Sequence, residues 1–87
     1  MIDFPSPAER QLEAQRLLQG LSGQWVAERI GLSKATIRLW KRGERIPDLE
    51  QLLRLVEATQ RPLDPLLRAR IFGDAVPPER PGRQASA

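Results

Sequence analysis

The sequence predicts an all-α fold, five short helices packed into one compact domain. Three observations carry that prediction. Five segments open on a Ser or Asp in capping position. Apolar residues within the segments recur at helical spacing, and nothing alternates with period two over a useful length, so no sheet is expected.

Ser6-Pro7-Ala8-Glu9 holds a hydroxyl cap, a proline at the first helical position and a carboxylate three residues after the cap, the parts of a capping box. Helix 1 is expected over about 7–19, with Ala8, Leu12, Ala14, Leu17, Leu18 and Leu21 as its apolar residues and Gly20 as a left-handed cap. Ser22 caps helix 2, 23–30, which carries Val26, Ala27 and Ile30 on one face and ends at Gly31. Ser33 caps helix 3, 34–42, closed by Gly43. Pro47-Asp48 with Gln51 opens helix 4, whose stripe of Leu49, Leu52, Leu53 and Val56 runs to about Thr59. Asp64-Pro65 opens helix 5, about 65–72, with Leu66, Leu67, Ile71 and Phe72 as candidates for burial. Beyond Gly73 the composition turns to Pro77, Pro78, Pro81 and Gly82 without periodic apolar residues, so 74–87 is expected to be a disordered tail and 1–73 the domain.

A chain of 87 residues has room for one small domain. It has no Cys and no His, which removes a disulfide framework and the usual zinc constellations. With Tyr also absent, most side chains used for nucleophilic or acid–base chemistry near neutral pH are missing, so neither an enzyme nor a cofactor is expected. No apolar run approaches the roughly 18 residues of a membrane span, and no secretory signal opens the chain, so a cytoplasmic protein is expected. Fourteen basic against eleven acidic residues leave +3, a mild tilt towards an acidic partner.

The charge is uneven along the chain. Residues 29–45 hold Arg29, Lys34, Arg38, Lys41, Arg42 and Arg45 against Glu44, a local +5, whereas 46–60 hold Arg54 against Asp48, Glu50 and Glu57, or −2. At 100° per residue, Ser33, Thr36, Ile37 and Trp40 of helix 3 fall together and are expected to point inwards. Lys34, Arg38 and Arg42 form an i, i+4, i+8 row opposite, with Ala35 and Leu39 beside it. Stacked like charges disfavour an isolated helix by about 0.2–0.5 kcal/mol per pair, so the row suits a polyanion; a solvated face is the plainer alternative. Ala27 is small where two helices must cross closely, and Gly31 can take the positive φ of a tight turn between them.

Residues 22–45, SGQWVAERIGLSKATIRLWKRGER, resemble the helix-turn-helix of the lambda-repressor-like (Cro/XRE) family, and the similarity continues to about residue 67. The spaced matches are Ala27, the turn glycine Gly31, Ile37, and Trp40 with Gly43 in a W-x-x-G ending. The resemblance implies double-stranded DNA as partner, with helix 3 in the major groove, and a bacterial protein on the nucleoid when bound.

Within that frame Lys34 and Arg38 are candidates for base edges, since guanine presents O6 and N7 there. Ala35 and Leu39 are candidates for thymine methyls, with a side contact to a neighbouring helix the equal alternative for Leu39. Thr36, Lys41, Arg42 and Arg45 are candidates for phosphates. The resemblance adds a backbone contact from Ser22, Gly23 and Gln24 at the start of helix 2, where free amides meet the helix dipole.

Two features depart from the family pattern. Family members often carry W-E-x-G and an Arg in helix 1 that pairs with the Glu; here the positions hold Lys41 and Arg16, so that ion pair cannot form. The frequent Gln at the start of helix 2 is displaced to Gln24 by Gly23. Trp25 stands where the family usually has an exposed polar residue; it either covers helix 1 or meets DNA or a partner subunit. Leu63, Leu67, Ile71 and Phe72 offer an apolar surface for a homodimer through helix 5, with core packing as the competing explanation. The expected function is a repressor of a plasmid, phage or bacterial operon on a palindromic operator, with no small-molecule ligand. An antitoxin that also binds its promoter, or a protein-binding scaffold, are the rivals.

Overall fold

The computed structural model describes residues 4–73. Five helices follow one another: α1 (Pro7–Leu18), α2 (Gly23–Ile30), α3 (Lys34–Arg42), α4 (Leu49–Thr59) and α5 (Pro65–Phe72), with no strand among the described residues. Capping boxes form at the starts of both α1 and α4. Ser6 Oγ accepts from the Glu9 amide at 3.2 Å while Glu9 accepts from the Ser6 amide at 2.8 Å; Asp48 and Gln51 exchange the same pair of bonds at 2.7 and 3.0 Å. Ser22, Ser33 and Asp64 cap the other three helices, and each such cap contributes about 1 kcal/mol. The expected tail over 74–87 lies outside the described residues.

The core gathers where α1 packs on α3 and α4, and α2 on α3 and α4. Leu17, Leu18, Val26, Ile37, Trp40, Leu52 and Leu55 are among its fully buried side chains. Burying one such side chain contributes about 1.5–3 kcal/mol. Two arginines stitch α2 to α4. Arg54 donates to the Ile30 carbonyl at 2.8 Å and Arg29 to the Ala58 carbonyl at 2.7 Å, each answering a carbonyl in a last helical turn that the helix itself leaves unpaired.

α5 attaches to α1 through a polar seam that the sequence did not announce. Glu13 is buried, accepts both from Arg16, at 2.7 Å from Nε, and from the Asp64 amide at 2.7 Å. The Glu13 carboxylate in turn raises the Arg16 pKa above its ordinary value. Arg61 donates to the carbonyls of Leu17 and Gln19 at the end of α1, at 3.1 and 2.8 Å. Arg70 pairs with Glu9, and that guanidinium, helped by the Ser6 amide, lowers the Glu9 carboxyl to about 2.

Several sequence expectations are corrected here. Leu63, Leu67 and Ile71 belong to the chain's own core, at 5, 8 and 5% exposure, so core packing claims three of the four residues expected at a dimer interface; Phe72 is left 47% exposed. Leu66, expected to be buried, and Leu12, one of the recurring apolar residues of α1, are exposed, because α5 turns its Leu67–Ile71 edge inward and α1 buries Glu13, Ala14 and Leu17 instead. Leu55, absent from the predicted stripe of α4, is fully buried.

Candidate nucleic-acid interface

The geometry starts in the turn between α2 and α3. Ala27 is buried at the crossing, and Gly31 closes α2 at φ 79°, a left-handed conformation that favours glycine. The amides of Gly31 and Leu32 both return to the Ala27 carbonyl, at 2.9 and 3.2 Å, which folds the chain back within three residues. Ser33 then starts α3 by accepting from the Thr36 amide at 3.1 Å. Its hydroxyl also lies 2.9 Å from Thr36 Oγ1, so Ser33 is an exposed cap and not the inward residue the projection suggested, and Thr36 is half-buried with its hydroxyl in the same cap.

α3 anchors itself with two residues, Ile37 and Trp40, both essentially inaccessible to solvent. Lys34, Ala35, Arg38, Lys41 and Arg42 are exposed, and Leu39 is half-buried between the two faces. Lys34, Arg38 and Arg42 therefore do form one outward row. Among the described residues no hydrogen bond or ion pair engages the side chains of Lys34, Arg38 or Arg45. Arg42 pairs with Glu44 at 3.2 Å, both side chains more than half exposed, so this pair is weak and exchangeable.

Not all of the basic cluster faces outward. Arg29 is committed to the Ala58 carbonyl and lies over the Trp25 ring at 4.6 Å, a cation–π stack that leaves the indole 41% exposed. The Lys41 ammonium donates to the Leu21 carbonyl, and the Lys41 carbonyl accepts from Gln15 Nε2 at 3.1 Å. Arg16, at the position of the family's pairing Arg, is turned to Glu13 and to the Pro62 carbonyl at 2.8 Å. Gln11 and Gln15 were not singled out from the sequence. The signal for them is geometric: Gly43 closes α3 at φ 75°, and a Cβ there would stand 2.5 Å from Gln11 Nε2 and 3.2 Å from Gln15 Nε2.

At the start of α2, Ser22 caps the Trp25 amide at 3.3 Å, and Gly23 brings the backbone against α3, its virtual Cβ being 3.9 Å from Ile37 Cγ2. The amides of Gly23 and Gln24 precede the first intrahelical bond and so stay open to an anion. The Gln24 amide group lies along its own helix, 3.3 Å from Glu28. Among the described residues no group of His, Cys, Asp or Glu is arranged to hold a metal ion, and no helix is long and apolar enough to cross a membrane.

A tight glycine turn between two short helices, the second carrying an exposed basic row, is an arrangement built to enter a groove of nucleic acid. A family model described as helix-turn-helix matches residues 12–66, which spans α2 and α3 with most of the helices around them. No curated protein and no solved structure matches the chain. With well over half its length inside that match, the chain belongs to the lambda-repressor-like (Cro/XRE) helix-turn-helix family of DNA-binding transcription regulators.

Proposed function

We propose that this chain is a sequence-specific repressor that occupies a palindromic operator as a homodimer. The observation that carries the proposal is the α3 row: Lys34 and Arg38 are exposed, one turn apart, and engaged by nothing among the described residues. Such cations are free to meet guanine O6 and N7 in a major groove, with Ala35 and Leu39 beside them for thymine methyls. Arg42 and Arg45, near the exit of the helix, suit phosphates, as do the open amides of Gly23 and Gln24 after the Ser22 cap. Thr36, its hydroxyl shared with the Ser33 cap, is a further candidate for phosphate at the edge of the row.

For the second copy, the supporting feature is a groove between α4 and α5. Leu53, Val56 and Phe72 line it, with Glu50 and Glu57 on one wall and Arg54 and Arg68 nearby. The groove carries apolar residues with both acids and bases, the mixed make-up that a self-complementary isologous patch needs. Two α3 helices would then read half-sites about 34 Å apart. Selection of bound duplexes from a random pool tests the whole reading, because an enriched inverted repeat reports sequence, symmetry and spacing together. Recovery of no motif, or of a motif without two-fold symmetry, refutes the specific or the dimeric part in turn.

A further inference from the structure

We infer that Lys41 is a positioning residue, a strap that fixes α3 to the start of α2, and not one of the phosphate contacts. The inference rests on the DNA-binding reading for its consequence but on the free protein for its geometry. Three observations meet at the last turn of α3. Its ammonium donates to the carbonyl of Leu21, the residue immediately before the Ser22 cap of α2. Its own carbonyl accepts from Gln15 of α1 at 3.1 Å. Two residues on, Gly43 lets the end of α3 lie so close to Gln11 and Gln15 that no Cβ fits without moving them.

The last turn of α3 is thus held on two sides, by α1 glutamines through the backbone and by the α1–α2 connection through the Lys41 side chain. The held connection leads directly into the open amides of Gly23 and Gln24. α3 carries the base-reading candidates, and the start of α2 carries the backbone-anchoring ones. The strap therefore sets the distance between the two and keeps it set before DNA arrives, so that less ordering is left to binding. The direction of the bond also matters. A carboxylate here, as in the family's W-E-x-G, would face the Leu21 carbonyl with no proton to give, whereas an ammonium both donates and adds positive charge beside the amides of α2. The pairing of Arg16 with Glu13 completes the exchange, since the position that would partner a carboxylate is occupied elsewhere.

The experiment compares the full chain with Lys41→Met, which keeps the apolar stem without the donor, and Lys41→Arg, which keeps a donor. Backbone order parameters of Leu21, Ser22 and Gly23 are measured without DNA, and affinity for the duplex recovered by random-pool selection is measured across salt concentrations. Lys41→Met should lower the order of these three residues from about 0.85 towards 0.6. It should weaken the duplex about tenfold at every salt concentration, the size of one lost bond to a charged donor, with the salt slope unchanged. Lys41→Arg should restore both. A slope smaller by about 0.9 with unaltered order makes Lys41 a phosphate contact and overturns the strap. Unaltered order in Lys41→Met overturns it as well, even if no duplex is ever selected, and that failure of selection would count against DNA reading alone.

Discussion

Replacing Gly43 by Ala measures how closely α3 is pressed against α1, provided the same change at Gly31 is made as a control. Both glycines close a helix with positive φ, 75° and 79°, so both substitutions share the left-handed strain of about 1–2 kcal/mol. Stiffening of the unfolded chain returns about 0.4–1 kcal/mol of it. At Gly31 the new methyl would find only Arg54 Nη2, at 4.0 Å, an ordinary contact, so Gly31→Ala should cost about 1 kcal/mol. At Gly43 the methyl would meet Gln11 Nε2 at 2.5 Å and Gln15 Nε2 at 3.2 Å. Gln11 can swing away, but Gln15 then loses its geometry on the Lys41 carbonyl, a further 0.5–1.5 kcal/mol or so. Gly43→Ala should therefore cost about 2 kcal/mol. With a urea slope of about 1 kcal/mol/M for so small a domain, the unfolding midpoints should fall by about 1 M for Gly31→Ala and about 2 M for Gly43→Ala. In a Gln11→Ala background the excess at Gly43 should shrink, as coupled neighbours require. Equal midpoints for the two single variants would refute the close approach, and with it one side of the hold on α3.

Four further outcomes are expected. Lys34→Ala or Arg38→Ala should each weaken operator binding by about 1–3 kcal/mol and relax discrimination between sequences, read by competition with scrambled duplex; equal losses on all sequences would remove that residue from base reading. Arg42→Ala should weaken every duplex alike and reduce the salt slope by about 0.9, and an unchanged slope would take it off the phosphates. The Glu9 carboxyl, lowered to about 2 by Arg70, favours the folded state at pH above the ordinary carboxylate value of 4.5, and that contribution is lost as pH falls from there through about 2. Urea midpoints followed from pH 5 to 2 should drop less steeply in Glu9→Gln than in the parent, and parallel curves would contradict the pairing. Phe72→Asp should leave the monomer folded yet abolish dimers in sedimentation, whereas Ile71→Asp, placed where α5 meets the core, should detach α5 and lower the urea midpoint; a Phe72→Asp dimer would move the interface elsewhere.

The helix starts were legible because caps are local. Ser6 with Glu9 and Asp48 with Gln51 are complete signals within four residues, and the structure realises both. The helix-turn-helix was legible because Ala27, Gly31, Ile37, Trp40 and Gly43 answer steric demands at fixed spacing. Faces were harder wherever apolar residues surround a helix. α5 reads Leu66, Leu67, Ile71 and Phe72 almost all round, so the choice of its inner edge falls to the neighbours it meets and not to its own pattern. Glu13 was invisible for a related reason: a carboxylate goes inside only when donors await it, and here one comes from Arg16, three residues on, and the other from the Asp64 amide, 51 residues on. Lys41 shows the same gap at the candidate site. Its charge was plain, but whether a long flexible side chain turns to DNA or to the Leu21 carbonyl is a property of the tertiary arrangement.

The way α5 is fastened carries a consequence for how the molecule opens. Of its eight residues Leu67 and Ile71 are buried, and polar bonds, among them Asp64 to Glu13 and Arg70 to Glu9, supply much of its remaining attachment. Segments held by few apolar contacts exchange their amides through local opening, well below the free energy of global unfolding. α5 is thus expected to open before α1 to α4, which hold the groove-entering pair. Since the same helix lines the groove proposed for the second copy, closing it and pairing two protomers become linked events. Its protection against exchange should then rise with protein concentration, while that of α3 does not.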